Sequence, residues 1–183
     1  LSMGSGTVFS LQYGAGDLSA LRRSIYVSLL LIGTVTILLN VAVFLWLDPI
    51  LRWLQVPYDI YPLMRNYLWI IFWGIVFTFL YNFYAALLRA VGDSVTPLWF
   101  LAVSVVLNIG LDLFLILVLD QGIEGAAVAT VIAQGTAASG ILLYTYKIRP
   151  ELRLHRADMR FDRSSLRETT SFSTLTCVQQ SVM

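Results

Sequence analysis

Four long runs of apolar residues constrain the fold of this chain more than any other feature. They cover residues 25–47, 67–88, 97–119 and 125–146, and they contain a single charged residue, Asp112. An α-helix rises about 1.5 Å per residue, so runs of this length would cross the roughly 30 Å hydrocarbon core of a bilayer. Surface helices of a soluble protein would show a polar face, and these runs do not. The sequence therefore predicts an all-α membrane protein, a polytopic helical bundle.

The composition argues against several other classes of protein. Hydrophobic residues make up 58% of the chain and charged residues 13%, compared with about 25% charged residues in soluble domains. A net charge of +1 offers no surface for nucleic acid. The single Cys177 and the single His155 argue against an internal disulfide and against a cysteine- or histidine-based metal site. Walker loops and nucleophile–histidine pairs are also missing, so we expect neither an enzyme nor an organic cofactor.

The distribution of positive charge predicts how the spans are oriented. One set of alternate connections carries ten Lys and Arg residues, whereas the other set carries only Arg52 and Arg65. The positive-inside rule places the ten-charge set in the cytoplasm. We therefore expect residues 12–24, 89–96 and 147–167 to be cytoplasmic.

Each apolar run is expected to belong to a somewhat longer helix. The predicted spans cover residues 20–47, 64–90, 95–119 and 124–146, all within one partial transmembrane bundle. The outer connection over residues 48–66 contains three prolines and cannot form a single helix, although short helical pieces are possible.

Turn residues mark the cytoplasmic ends of the predicted helices. Gly92 can adopt a left-handed conformation, and Ser94 or Thr96 is expected to cap the start of the third span. Asp17 and Asp93 lie at similar boundaries, so we interpret them as helix or loop caps rather than as ion ligands.

Asp112 is the residue in these spans that points most directly to function. A carboxylate near the middle of a bilayer costs about 3 kcal/mol or more, which makes it a candidate functional residue. Ser104, Asn108 and Asp112 recur every four residues and therefore share one face of a helix. Thr130 and Gln134 share a face of the fourth span. Because lipid offers no hydrogen bonds, the partners of these groups must be neighbouring helices or trapped water.

A structural interpretation of the polar residues competes with the functional one. For Asn40, Asn82 and Gln134, taken singly, hydrogen bonds that hold helices together are an equally good explanation. That explanation suits Asp112 less well, because an asparagine would hold helices together at lower cost than a carboxylate. The fourth span is also rich in small residues that permit close helix packing: Gly125, Ala126, Ala129, Ala133 and Ala137.

Four segments of the chain resemble the multidrug and toxic compound extrusion (MATE) family. These are residues 81–97 (YNFYAALLRAVGDSVTP), 107–113 (LNIGLDL) and 122–134 (GIEGAAVATVIAQ), together with residues 12–23 (QYGAGDLSALRR). The last segment is similar to the family's connection between helices two and three. The resemblance covers nearly the whole chain in the family's order.

The resemblance implies a fold of twelve helices in two six-helix lobes, of which this chain would be a partial N-terminal lobe. It would hold the end of helix two (residues 1–16), helices three to six, a cytoplasmic linker (147–165) and the start of helix seven (166–183). Helix one, most of helix two and the C-terminal lobe would be its missing partners. The family usually has Gly-x-Pro near the start of helix seven, whereas residues 172–176 here read FSTLT.

The resemblance to the prokaryotic, DinF-like branch also implies a cation or proton site. In that branch the site combines an acid on helix one with Asn and Asp on helix five and Thr on helix six. Asn108, Asp112 and Thr130 match the last three by motif, and they would bind H⁺ or Na⁺. Further candidates for a substrate or ion pathway are Asn82, Ser104, Gln134 and Gln179.

The implied function is secondary active multidrug efflux across a prokaryotic cell membrane. Organic cations or other amphipathic, drug-like compounds would be exchanged for H⁺ or Na⁺, among membrane lipids. One alternative is a flippase of the same superfamily for lipids or lipid-linked oligosaccharides. Such flippases tend to line their cavity with cations, and the four apolar runs contain no Lys or Arg. A second alternative is a membrane scaffold without transport, in which Asp112 is structural.

Overall fold

Helices follow one another along almost the entire part of the chain that the computed structural model describes, residues 2–154. The α-helices are α1 (Ser2–Gly14), α2 (Leu18–Trp53), α3 (Tyr61–Ala90), α4 (Val95–Leu113) and α5 (Gly122–Ile148). A π-helical turn, Phe114–Val118, continues α4, and a 3₁₀ turn, Pro150–Leu152, follows α5. No strand occurs among these residues.

Four of these helices are long and apolar enough to cross a membrane, which confirms the predicted all-α membrane fold. They are α2, α3, α5 and the continuous segment Val95–Val118 formed by α4 and its π turn. The first span extends beyond its expected end at residue 47, because α2 continues through Pro49 to Trp53. Leu51 in the last turns of α2 is fully buried. This part of the helix therefore belongs to the core, although it lies beyond the apolar run that ends at residue 47.

Helix α5 lies between α3 and α4 and packs against both. Its small residues Gly125, Ala129, Ala133 and Ala137 are buried, whereas Ala126 is only partly buried. Small side chains allow helix backbones to approach closely, and this close approach lets dispersion forces hold transmembrane helices together.

At one end of the bundle, α1, the first half of α2 and the last part of α3 share an apolar core. The fully buried rings of Phe9 and Phe83 meet edge to face, with centroids 6.0 Å apart. Leu152 of the 3₁₀ turn is buried in the same cluster, so the chain folds back over this end of the bundle after α5. The Arg22 Nε atom donates to the Glu151 carbonyl over 2.9 Å and secures that position.

The two predicted aspartate caps are confirmed, but the predicted cap by Ser94 or Thr96 is wrong, since Thr96 is itself bound by Asp93. Asp17 accepts a hydrogen bond from the Ala20 amide at 2.9 Å, and Asp93 accepts one from the Thr96 amide at 3.1 Å. The Ser94 side chain makes no capping hydrogen bond. Asp93 replaces it because a carboxylate has two acceptor oxygens and can bind both the amide and the hydroxyl of Thr96.

Asp93 also connects the turn between α3 and α4 to the end of α5. Its Oδ2 atom accepts hydrogen bonds from the hydroxyls of Thr96 (2.8 Å) and Tyr144 (3.4 Å) and lies 3.7 Å from the Arg149 guanidinium. Burial by itself raises the pKa of Asp93. The hydrogen bonds from Thr96, the Arg149 charge and the Tyr144 hydroxyl outweigh that effect and hold the pKa of Asp93 below its usual value.

We expect Asp93→Asn to lower the free energy of unfolding by about 1 kcal/mol at neutral pH, because the amide loses the ion pair and caps less strongly. The folded-state pKa of Asp93 lies below the unfolded value of about 3.9, so this stabilisation is present above that value. It is lost as the pH falls through the folded-state pKa. Thermal unfolding in detergent as a function of pH measures the effect. A difference from the parent that persists at the lowest pH would contradict it, and the exposed Asp59→Asn is the control.

We expect Gly74→Ala to destabilise the bundle by about 1–3 kcal/mol, as overpacking does elsewhere. A Cβ atom at this position would lie 2.9 Å from the Gln134 Oε1 atom and 3.1 Å from the Val131 Cγ2 atom. Gly33→Ala is a matched control within α2, since its Cβ would meet the Phe79 ring at an ordinary 3.6 Å. Chemical denaturation in detergent should separate the two variants, and equal stabilities would show that α3 and α5 can move apart without cost.

Candidate functional site

The polar stripe of α4 faces α5. The Ser104 hydroxyl is buried and donates to the Ala133 carbonyl at 2.9 Å. One turn further along, the Asn108 Nδ2 atom donates to the Thr130 hydroxyl at 3.4 Å. These two contacts fix the rotation of α4, so that its acidic face points toward α5 rather than outward.

Asp112 lies one helical turn beyond Asn108 on this same face. Its side chain is half-buried, and its Oδ1 atom is buried with no hydrogen-bond partner among the described residues. Leaving a buried acceptor unpaired costs about 1–3 kcal/mol, and more when the group is charged. A proton on the carboxyl group or a cation beside it would remove that cost. Among the polar atoms of the described spans, this oxygen is therefore the strongest candidate for binding an ion.

The Asn108–Thr130 pair, which begins one helical turn before Asp112, offers oxygen atoms of the kind that hard cations prefer. The Thr130 hydroxyl accepts the Asn108 amide proton and donates its own proton to the Ala126 carbonyl at 2.9 Å. The Asn108 side-chain carbonyl stays available as an acceptor, as does the Asp112 carboxylate. Within residues 2–154, no cluster of three or more His, Cys, Asp or Glu side chains could hold a metal ion.

A second polar contact lies one turn further along α5, against α3. The Thr78 hydroxyl is 2.9 Å from the Gln134 Oε1 atom and 3.1 Å from the Gly74 carbonyl of its own helix. Sequence analysis placed Gln134 beside Thr130 but missed Thr78. A polar residue within an otherwise apolar run, four residues after a glycine, was the signal that could have identified it.

The remaining polar candidates are not brought to Asp112. The Asn82 side chain is exposed, and its Nδ2 atom donates to the Thr78 carbonyl of its own helix at 2.8 Å. The Asn40 Nδ2 atom donates to the Phe72 carbonyl at 2.7 Å and so links α2 to α3, as the structural interpretation proposed. Gln179, the expected start of helix seven and most of the expected linker lie outside the described residues.

A π-helical turn begins two residues after Asp112, where sequence analysis expected an uninterrupted α-helix. The Leu119 amide donates to the Phe114 carbonyl, five residues back, at 3.2 Å. Such widened turns are rare and often lie at functional sites. Within this turn Leu115 is the buried residue, and it packs against Gly125 of α5.

Comparison with known proteins places this geometry in a family. A family model described as MatE matches residues 1–114. The probable multidrug resistance protein YpnP of Bacillus subtilis is 40% identical over 141 residues, which are 77% of this chain and 32% of the relative. The probable multidrug resistance protein YoeA of the same organism is 33% identical over 168 residues, which are 90% of this chain and 35% of the relative. The chain thus spans about a third of the length of these curated relatives.

Solved structures share the fold. An inward-facing multidrug resistance MATE family transporter of the MOP superfamily superimposes with a TM-score of 0.86 at 20% identity, over 93% of this chain and 39% of that chain. The bent form of the Vibrio cholerae MATE transporter VcmN gives a TM-score of 0.81 at 24% identity, over 92% and 38% of the two chains. The chain therefore belongs to the MatE family of MATE transporters, and its described part has the fold of a partial N-terminal lobe.

Proposed function

We propose that this chain supplies the coupling-ion site of a secondary active multidrug transporter, which exports organic cations or other amphipathic compounds in exchange for H⁺ or Na⁺. The observation that carries the proposal is the buried, unpartnered Oδ1 atom of Asp112 beside the Asn108–Thr130 pair. Membership of the MatE family and the names of the two Bacillus subtilis relatives support the drug-export part. In this proposal the site is completed by helix one, most of helix two and a C-terminal lobe, which fits the chain's coverage of about a third of its relatives.

The chemistry of the coupling follows from the low dielectric around Asp112. A carboxyl group in such surroundings is stable when it carries a proton, or when it is charged and paired with a cation. In the second state the Asn108 carbonyl and the Thr130 hydroxyl would complete the coordination of Na⁺. An ion drives transport only if its affinity differs between the inward-open and outward-open states. The contact between α4 and α5 is where that difference would arise.

The same proposal assigns a location and an orientation. The protein would lie in the cell membrane of a prokaryote, with residues 12–24, 89–96 and 147–167 in the cytoplasm. Four helices able to span a bilayer and the bacterial relatives support the location. The ten positive charges on that side support the orientation.

We expect Asp112→Asn to abolish ion-driven efflux while the protein still folds, because an amide can neither release a proton nor neutralise a cation. The measurement is uptake of ethidium into proteoliposomes that contain a full-length, two-lobe transporter carrying this sequence, under a pH or a Na⁺ gradient. Asp120→Asn is the matched control. Its side chain is exposed in the turn between α4 and α5, and asparagine tolerates its positive φ of 52°. Normal efflux by the Asp112 variant would refute the proposed role.

We expect Thr130→Val to raise the half-saturating ion concentration by about tenfold. This is the change in affinity that the loss of about one hydrogen bond or ligand would cause. Valine keeps the shape of threonine but removes the hydroxyl that contacts Asn108. Thr136→Val on the same helix is the control, because the Thr136 hydroxyl bonds only to its own helix and is exposed. The measurement is the initial efflux rate as a function of Na⁺ concentration and of pH. An equal increase of the half-saturating ion concentration in both variants would contradict a special role for Thr130.

A further inference from the structure

Gly125 of α5 packs closely against the π turn that continues α4. A Cβ atom built on Gly125 would lie 3.0 Å from the Gln121 Cβ atom at the start of its own helix. It would also lie 3.1 Å from the Leu115 Cβ atom and 3.4 Å from the Leu115 carbonyl carbon, across the contact between the two elements. Among the eleven described glycines from Gly6 to Gly140, it alone would place a Cβ atom within 3.4 Å of a backbone atom of another element. Because a Cβ atom and a carbonyl carbon cannot rotate away, a side chain at this position would push the two helices apart.

The local backbone leaves little room for adjustment around this contact. Only three residues, 119–121, join the π turn to α5. The Gln121 amide donates to the Leu115 carbonyl at 3.0 Å and closes the widened turn. Asp120 and Gly122 both have positive φ values, 52° and 53°, so the connection already adopts unusual conformations. The outer ends of α4 and α5 are therefore held together as a tight hairpin.

The contact at Gly125 lies close to the candidate ion site. Leu115 is three residues beyond Asp112, and Gly125 is five residues before Thr130. The Asn108–Thr130 distance of 3.4 Å is already longer than the usual 2.7–3.2 Å of an N–H···O hydrogen bond. An outward shift of α4 by a few tenths of an ångström would break this contact, and it would move Asp112 away from Thr130.

We propose that Gly125 is a positioning residue for the ion site. Its missing side chain lets the π turn rest against α5, and this spacing keeps Asn108 and Asp112 within reach of Thr130. The inference rests on the proposed coupling function of that site. It predicts that a small side chain at Gly125 clearly lowers the affinity for the ion while the protein without bound ion keeps most of its thermal stability.

The test uses Gly125→Ala in the purified full-length transporter carrying this sequence. We expect the half-saturating Na⁺ concentration for thermal stabilisation to rise about fivefold at fixed pH, the effect of losing one hydrogen bond. If the protein is driven by protons, thermal stability is measured against pH in the absence of Na⁺, and the midpoint of that curve should be displaced in the variant. The KM for ethidium at saturating ion should change little, since the inference assigns Gly125 a role in ion binding alone.

Three matched variants separate spacing from general packing. Leu115→Ala keeps the Cβ atom that sets the spacing, so it should lower stability without changing the half-saturating ion concentration. Gly135→Ala on α5 places its Cβ at an ordinary 3.8 Å from the Phe77 ring, and Gly110→Ala meets nothing within 4 Å although it lies two residues from Asp112. Neither should alter the ion dependence.

Each outcome supports or overturns the inference. Unchanged ion dependence in Gly125→Ala, together with loss of coupling in Asp112→Asn, would overturn the positioning role and leave the proposed function intact. Retained coupling in Asp112→Asn would overturn both. If Gly125→Ala does not fold, the double variant with Leu115→Gly removes the Cβ atom that it meets on the π turn, whereas the Gln121 Cβ atom at the start of α5 stays in place; failure of this variant to fold would mean that the clash lies within α5 and would overturn the role. Recovery of folding and of ion affinity supports the role, and recovery of folding alone overturns it.

Discussion

The inability of a bilayer interior to provide hydrogen bonds is the constraint on which the rest of this structure depends. It makes helices the only suitable backbone for the four spans, and it forces their polar side chains to find partners on one another. Ser104 reaches the Ala133 carbonyl, Asn40 reaches the Phe72 carbonyl and Thr78 reaches Gln134. Among the described residues the hydroxyls of Ser24 and Ser28 in α2 also lack a partner, but the Asp112 oxygen is the one carboxylate atom among the buried, unpartnered groups, which is why it is the candidate for binding an ion.

Helix α5 organises the site because it contacts two neighbours with different polar groups. Thr130 meets α4 through Asn108, and Gln134, one turn later, meets α3 through Thr78. The small residues of α5 make this possible, since a larger side chain would separate the helices before the short polar side chains could touch. Helix α5 therefore contacts both the helix that carries Asp112 and the neighbouring α3 through polar groups one turn apart.

Some elements could be predicted because they depend on local rules. The four spans follow from apolar length, and the caps at Asp17 and Asp93 follow from the preference of carboxylates for free backbone amides. The Ser94 cap was wrong because two acceptor oxygens on the preceding residue compete better than one hydroxyl. Thr78 was missed because a threonine can satisfy its hydroxyl within its own helix, so sequence alone gives no reason to expect the contact with Gln134.

The sequence by itself determined the number of spans, the one-sided stripe of Ser104, Asn108 and Asp112, and the family resemblance, because these depend on residue type and spacing along one helix. Only the tertiary structure decided which helix the stripe faces, that Asn82 lies apart from it, and that a π turn seats Leu115 on Gly125. The physical reason is that rotation and separation of packed helices depend on contacts between residues far apart in the chain. A few tenths of an ångström in those contacts decide whether Asn108 and Thr130 can touch.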